Sequence, residues 1–207
     1  MSAGAMILTI SAVLVFCGLL QRVLDRMYLS DRQALLLIGI MIAGTLLPNV
    51  NIGNIVVNIG GFLIPVGICI YLIYRADSFM EKKRAVIGTL LTGLTVYMIS
   101  LLFPSEAETM PLDPMWLYGI AGGIIAWITG RSRRAAFICG ILGVFIADVV
   151  SFSVAWIQGY HVQLILGGAG IADAAVISGV VAVLMCELIG EVIERIIRRQ
   201  GRWRQMQ

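Results

Sequence analysis

Seven apolar blocks run along this chain of 207 residues, with short polar connections between them. The blocks cover Ala3–Leu20, Ala34–Leu47, a third stretch that ends at Tyr74, Ala85–Phe103, Met115–Gly130, Ala135–Ile157 and Leu164–Gly190. An α-helix needs about 20 apolar residues to cross a bilayer, so the chain has room for about seven spanning helices and for no soluble domain. The sequence therefore predicts one integral membrane domain over residues 1–207, an all-α polytopic helix bundle.

The composition agrees with a lipid environment. Hydrophobic residues make up 59% of the chain and charged residues 13%, whereas a soluble domain carries about a quarter charged residues. The four cysteines lie in four separate blocks without the spacing of a metal or redox site, so we interpret them as packing residues and predict no metal and no cofactor. The one histidine of the sequence, His161, lies in a connection and is predicted to be solvated.

The distribution of Lys and Arg predicts the orientation. The segments after blocks one, three, five and seven hold three, four, three and five of the 15 Lys and Arg residues, and the other connections hold none. Because cytoplasmic connections carry the positive charge, the N-terminus is predicted outside and the C-terminus in the cytoplasm of a prokaryotic cell with the protein in its plasma membrane. These cations are spread along the chain as topology signals, which argues against a nucleic-acid surface.

A few polar residues interrupt the apolar blocks, and they reach one level of the bilayer. Counted from the cytoplasmic ends at about 1.5 Å per residue, Asp148, Asp173 and Asn58 fall in the outer third of a hydrocarbon layer about 30 Å thick. Asn51, Asn54 and Asn58 are spaced by three and four residues, which predicts one helix face. An intramembrane carboxylate is a functional candidate, and its structural alternative is a protonated group bonded to a neighbouring helix.

Glycines accompany one of these aspartates in the stretch LILGGAGIADAAVISG. Gly167, Gly168 and Gly170 predict a broken or re-entrant segment before a helix that begins near Ala172, since non-helical backbone at membrane depth requires protein or water around it. The Asn-rich stretch before Pro65 predicts a second interruption, and paired interruptions are typical of a transporter's substrate site. The alternative is that these glycines only allow helices to pack closely.

From the second block onward, the sequence resembles an uncharacterised prokaryotic family of multi-pass membrane proteins. The resemblance is carried by NIGNIVVNIGGFLIP, FIADVV and GGAGIADAAVISG. It implies membrane location and draws attention to the same Asn and Asp positions. It implies no particular activity.

A second resemblance is to intramembrane aspartyl proteases of the presenilin and prepilin-peptidase type, which pair an Asp on one helix with a Gly-x-Gly-Asp motif on a later helix. Here Asp148 and Asp173 lie on consecutive blocks, and Gly168-Ala169-Gly170 precedes the second carboxylate. The pair Ile171–Ala172 intervenes, which would turn Asp173 by about 200° on a helix. The sequence also has no Pro-Ala-Leu element and no tyrosine directly before Asp148. The resemblance implies Asp148 and Asp173 as catalytic residues.

Three functions follow as expectations. The first is transport coupled to protons or monovalent cations, with Asp148 and Asp173 as the coupling groups, Asn54 and Asn58 as neutral ligands and the Gly167, Gly168 and Gly170 segment as the wall of a pocket that opens outward. The chain is short for a secondary transporter, so a homodimer within the lipid bilayer is expected. The second is a non-catalytic component of an envelope or differentiation complex, and the third is intramembrane proteolysis.

Overall fold

The computed structural model of the protein describes residues 31–76, 78–102, 114–130, 132–170 and 173–205. The first apolar block, Ala3–Leu20, and the acidic connection after the fourth block lie outside the described residues. The fold below is that of the described part of the chain.

Helices dominate the described chain, as predicted. The α-helices are α1 (Asp31–Leu46), α2 (Ile64–Tyr74), α3 (Phe79–Leu102), α4 (Pro114–Gly130), α5 (Arg133–Ile157) and α6 (Ala174–Gln205). A π-helix, Ile59–Leu63, runs directly into α2. Three short strands, β1 (Val50–Ile52), β2 (Ile55–Val57) and β3 (Leu164–Leu166), form a sheet that the all-α prediction does not contain.

Among the described residues, two helices, α3 and α5, are long and apolar enough to cross a membrane. Shorter apolar helical stretches cover Leu36–Leu46, Ile59–Tyr74, Trp116–Gly130 and Ala174–Gly190. Each of these six stretches overlaps one of the apolar blocks two to seven of the sequence. The helices therefore follow the apolar blocks, because every polar backbone group of an apolar segment has to be bonded within the segment or to a close neighbour.

Helices α3, α4, α5 and α6 pack against each other as a four-helix core. Small residues lie where the helices cross: a Cβ on Gly140 of α5 would lie 2.8 Å from the backbone nitrogen of Gly179 on α6. A Cβ on Gly143 would lie 2.7 Å from the Cβ of Thr92 on α3. Close contacts of this kind over small residues drive helix association in lipid.

The region before α2 corrects the prediction of a shared helix face for Asn51, Asn54 and Asn58. Strands β1 and β2 form an antiparallel hairpin in which Asn51 pairs with Val56 and Ile52 pairs with Ile55. Gly53 takes a left-handed φ of +60° in the two-residue turn that it forms with Asn54. A Gly-Asn pair flanked by β-branched residues favours a hairpin, and this local preference overrides the helical spacing of the asparagines.

The segment before α6 is non-helical, and α6 begins at Ala174 rather than near Ala172. Strand β3 pairs in parallel with β2, so that Ile55 lies opposite Leu164 and Val57 opposite Leu166. A turn follows at Gly167–Gly170, with left-handed φ values of +68° at Gly167 and +61° at Gly170. The break predicted from the glycines is therefore present, and it includes a strand that the sequence analysis did not predict.

Candidate functional site

Asp148 lies on α5, four residues after the buried Val144 and three after the buried Phe145. Its side chain is partly buried, whereas Val149 and Val150 on the next positions are exposed. Asp148 therefore sits at the edge of the four-helix core rather than on the fully exposed side of α5.

Asp173 occupies the position just before α6 and caps that helix. Its Oδ1 accepts a hydrogen bond of 3.0 Å from the backbone N–H of Ala175. The backbone N–H of Asp173 donates to the carbonyl of Gly170 at 3.1 Å. A carboxylate that accepts the free N–H groups of a helix N-terminus is stabilised in its charged form. Sequence spacing alone did not reveal this capping role.

The structure brings the carboxyl groups of Asp148 and Asp173 within electrostatic range of each other. No Lys or Arg occurs in the sequence between Arg134 and Arg195, so this part of the chain offers the pair no cationic side chain. Two carboxyl groups within electrostatic range and without a counter-ion repel each other when both are charged, and a shared proton or a bound cation reduces the repulsion. This pair is the chemical centre of the candidate site.

Asn58 is 5% exposed and joins the two interrupted segments. Its Oδ1 accepts from the backbone N–H of Gly61 at 2.8 Å, which caps the π-helix. Its Nδ2 donates to Oδ1 of Asn49 at 2.8 Å, and its backbone N–H donates to the carbonyl of Leu166 at 3.0 Å. The side-chain amide of Asn58 thus already makes one hydrogen bond through its oxygen and one through its nitrogen. A ligand could bind only through the second lone pair of the oxygen and the second N–H.

Asn54 lies elsewhere in the arrangement. Its side chain is exposed at the turn of the β1–β2 hairpin. Its backbone carbonyl accepts from the N–H of Leu164 at 2.9 Å, which ties the hairpin to β3. This backbone bond is the described contact that connects Asn54 to the site. The role of the Asn54 side chain as a ligand stays a prediction.

The two glycine-rich segments pack directly against each other. Gly61 lies so close to the turn after β3 that an added Cβ would be 2.6 Å from the carbonyl oxygen of Gly170. A Cβ on Gly167 would lie 2.6 Å from the backbone nitrogen of Phe62. Thr45 of α1 borders the same seam, since it adjoins both Gly60 and Gly170. We call this contact of residues 58–62 with residues 166–170 the glycine seam.

Gly168 differs from its two neighbours. It is exposed, and the nearest obstacle to an added Cβ is the side chain of Ile165 rather than backbone. The three glycines therefore differ in their structural role. The left-handed backbone of the turn requires glycine at Gly167 and Gly170, whereas Gly168 has no such requirement.

An aromatic contact connects the seam to α5. The rings of Phe62 and Phe145 meet edge to face with centroids 4.8 Å apart. Phe62 directly follows Gly61 in the π-helix, and Phe145 lies about one helical turn before Asp148. The seam, the α5 carboxylate and the start of α6 thus meet in one region of the fold.

The opposite end of the bundle holds a polar cluster that the sequence analysis did not identify. The guanidinium of Arg133 at the start of α5 bonds the carboxylate of Glu187 on α6 at 2.6 Å. Glu81 of α3 accepts from the hydroxyl of Ser132 at 2.9 Å and lies 3.5 Å from Arg134. Glu187 is the one acidic residue of the predicted seventh block besides Asp173, which is the sequence signal that could have drawn attention to it.

Comparison with known proteins gives a family and no activity. A family described as "Protein of unknown function (DUF1614)" has a model that matches residues 26–185. No curated protein and no solved structure matches the chain. The matched range contains Asn58, Asp148, Asp173 and both sides of the glycine seam.

Proposed function

The chain belongs to the DUF1614 family, and we propose that it is a multi-pass protein of a prokaryotic plasma membrane that couples proton or monovalent cation binding to transport. The observation that carries the proposal is that Asp148 and Asp173 lie within electrostatic range of each other in a stretch of chain without Lys or Arg. The solute that moves with the proton or cation is not specified by these residues.

The apolar outer face of α3 supports membrane insertion. The window of α3 that is long enough to cross a bilayer is 33% buried within the protein, although its residues are almost all apolar. Its exposed side chains include Ile87, Leu90, Leu94 and Met98. A water-soluble protein rarely leaves so extended an apolar face uncovered, whereas lipid covers it without cost.

The contacts at the two ends of the bundle support the proposed orientation with seven spans. Arg134, from the connection after block five, reaches both Glu81 and the carbonyl of Arg75, which adjoin the connection after block three. The connections after blocks two and six, which lack Lys and Arg, meet at the other end through β2 and β3. Segments of one charge class thus lie together, as they would on one side of a membrane.

We assign different roles to the two carboxyl groups. Asp173 accepts hydrogen bonds at the α6 N-terminus, so it serves as the fixed negative charge. Asp148 lies in the middle of α5, where no helix N-terminus stabilises its charged form. It is therefore the group that takes up and releases the proton. A monovalent cation would instead bridge the two carboxylates.

Flux measurements with purified protein in proteoliposomes test the proposal. An imposed proton or sodium gradient is expected to drive flux that Asp148→Asn and Asp173→Asn abolish. Asp113→Asn, in the acidic connection after block four, is the matched control and is expected to leave flux unchanged. Flux that persists in both site variants would remove the transport function. Cross-linking of the reconstituted protein tests the expected homodimer.

A second candidate, intramembrane proteolysis, is favoured by the position of β3. In the sheet order β1-β2-β3 this strand is an edge strand, and the chain passes directly from it through the glycine turn toward Asp173. An extended peptide adds readily to such an edge, and two carboxyl groups that share a proton activate water for peptide hydrolysis. Cleavage of a transmembrane reporter that stops in Asp148→Asn would establish this activity. If neither flux nor cleavage depends on the aspartates, the protein acts as a non-catalytic membrane component.

A further inference from the structure

Two hydroxyl groups are buried in the centre of the four-helix core without a hydrogen-bond partner. Thr92 on α3 and Ser178 on α6 are each 0% exposed, and their oxygens make no hydrogen bond within the described chain. A buried hydroxyl without a partner has given up its hydrogen bonds to water without replacing them, which destabilises the folded protein. Serine and threonine in helices usually avoid this by bonding the preceding turn, as Thr95 does with the carbonyl of Leu91.

Both hydroxyls lie about one turn inward from the carboxylate pair. Ser178 adjoins Gly122 of α4, where an added Cβ would be 2.8 Å from the serine oxygen and 3.4 Å from Val144. Val144 precedes Asp148 by about one helical turn on α5. Thr92 of α3 packs against Gly143, which directly precedes Val144 on α5. The two oxygens therefore follow the carboxylates along the axis of the core.

A third polar group continues the line by another turn. The thiol of Cys139 on α5 donates to the carbonyl of Ala85 at 3.4 Å, and the hydroxyl of Thr89 on α3 donates to the same carbonyl at 2.7 Å. Beyond it lie Ser132 and Glu81 at the basic end of the bundle. Along α5 the line from Asp148 through Gly143 and Cys139 to Ser132 advances by about 6–11 Å per step at 1.5 Å per residue.

We propose that Thr92, Ser178 and the Cys139 cluster form the inner half of a proton path that connects Asp148 to Glu81 at the basic end. The steps are longer than one hydrogen bond, so one or more water molecules bridge each of them, with the longest row of waters between Cys139 and Ser132. Asp148 gives its proton to the first bridging water, which passes one of its own protons to the next group. Every hydroxyl and thiol gives up one proton as it receives another, and Glu81 releases the proton to cytoplasmic water.

This inference rests on the proposed transport function, and isosteric variants separate the two. Thr92→Val and Ser178→Ala remove the hydroxyls with little change of volume, and we expect proton flux in proteoliposomes to fall by about tenfold or more. Thr95→Val and Ser153→Ala are the matched controls, since both hydroxyls are exposed and bonded within their own helices. Thr92→Ser keeps the hydroxyl and is expected to retain flux.

A second measurement reports on the outer carboxylates alone. A hydrophobic carbodiimide modifies protonated carboxyl groups within membranes, and labelling of Asp148 is expected to be the same in the native protein, Thr92→Val and Ser178→Ala. Native flux in the two hydroxyl variants, together with lost flux in Asp148→Asn, would overturn the proton path and leave the transport function intact. Flux that survives Asp148→Asn would overturn both. Lost flux with lost labelling in Thr92→Val would also overturn the path, because the hydroxyl would then serve the carboxylate site itself.

Discussion

The four-helix core and the glycine seam solve the same problem of burying backbone in different ways. In the core, helices bond their own backbone and approach one another over small residues such as Gly140 and Gly143. In the seam, the chain leaves the helix, and its backbone bonds across segments: the N–H of Asn58 donates to the carbonyl of Leu166. Directly before the seam, the N–H of Leu164 donates to the carbonyl of Asn54 in the same way. The seam thus depends on a few long-range bonds, whereas the core depends on many repeated contacts.

The difference also separates chemistry from scaffold. The seam ends beside Asp173, whose backbone N–H donates to the carbonyl of Gly170 and whose carboxylate caps the start of α6. The described part of the core presents few buried polar side chains, among them Thr89, Thr92 and Ser178. Polar chemistry therefore concentrates where the backbone is irregular, since irregular backbone and charge need the same polar surroundings.

The largest expected effect separates a seam glycine from a helix glycine. Gly61→Ala places a methyl group against the carbonyls of Gly167 and Gly170, and neither backbone can move freely. We expect a loss of unfolding free energy of about 3 kcal/mol or more, measured by denaturant titration in micelles. Gly67→Ala in α2 is the control: nothing lies within 4 Å of its added Cβ, so stability should be unchanged or higher by about 0.5 kcal/mol. Equal effects of the two substitutions would contradict the seam.

The helical part of the fold could be predicted because apolar length and Lys and Arg placement act locally along the chain. The ends of α4 and α5, for example, lie within two residues of the predicted blocks. The break at Gly167–Gly170 was also predictable, because three glycines in four residues disfavour a helix.

The sheet could not be predicted with the same means. Strands of three residues give no clear period, and β3 pairs with a strand more than 100 residues earlier in the sequence. The turn chemistry of Gly53–Asn54 was the available signal, but the helical spacing of Asn51, Asn54 and Asn58 pointed to the wrong element. The bond between Asn58 and Asn49 depends on the hairpin that brings the two residues together. The cap made by Asp173 joins residues only two apart, so an Asp directly before an apolar helix was its local signal.

A smaller effect should distinguish the two asparagines of the seam region. Asn58→Ala removes the cap of Gly61 and the bond to Asn49 at a position that is 5% exposed. We expect a loss of about 2 kcal/mol in the same titration, since the buried N–H of Gly61 loses its partner and the half-buried bond to Asn49 is lost as well. Asn54→Ala leaves the backbone bond to Leu164 intact and should change stability by less than about 0.5 kcal/mol. A larger loss of stability in Asn54→Ala than in Asn58→Ala would contradict this. It would mean that the hairpin turn, rather than Asn58, holds the hairpin and β3 together.

The smallest expected effect lies at the basic end of the core. The side chains of Arg133 and Glu187 are 18% and 20% exposed, so water screens their ion pair in part. Glu187→Gln keeps an oxygen that accepts from Arg133 and removes the charge, so we expect a loss of about 1 kcal/mol that shrinks as salt is added. Arg84→Gln, an exposed cation near the same end, should have no such effect.

A double-mutant cycle of Glu187→Gln and Arg133→Gln measures the interaction energy of the ion pair alone. Both variants retain the capping bond of Ser132, so this bond does not contribute to the difference. The cost of Gly61→Ala should be independent of salt, because it arises from steric overlap rather than charge. The two ends of the bundle would be stabilised by the same kind of contact if the free-energy loss of Glu187→Gln did not depend on salt. The same conclusion would follow if the loss of Gly61→Ala did depend on salt.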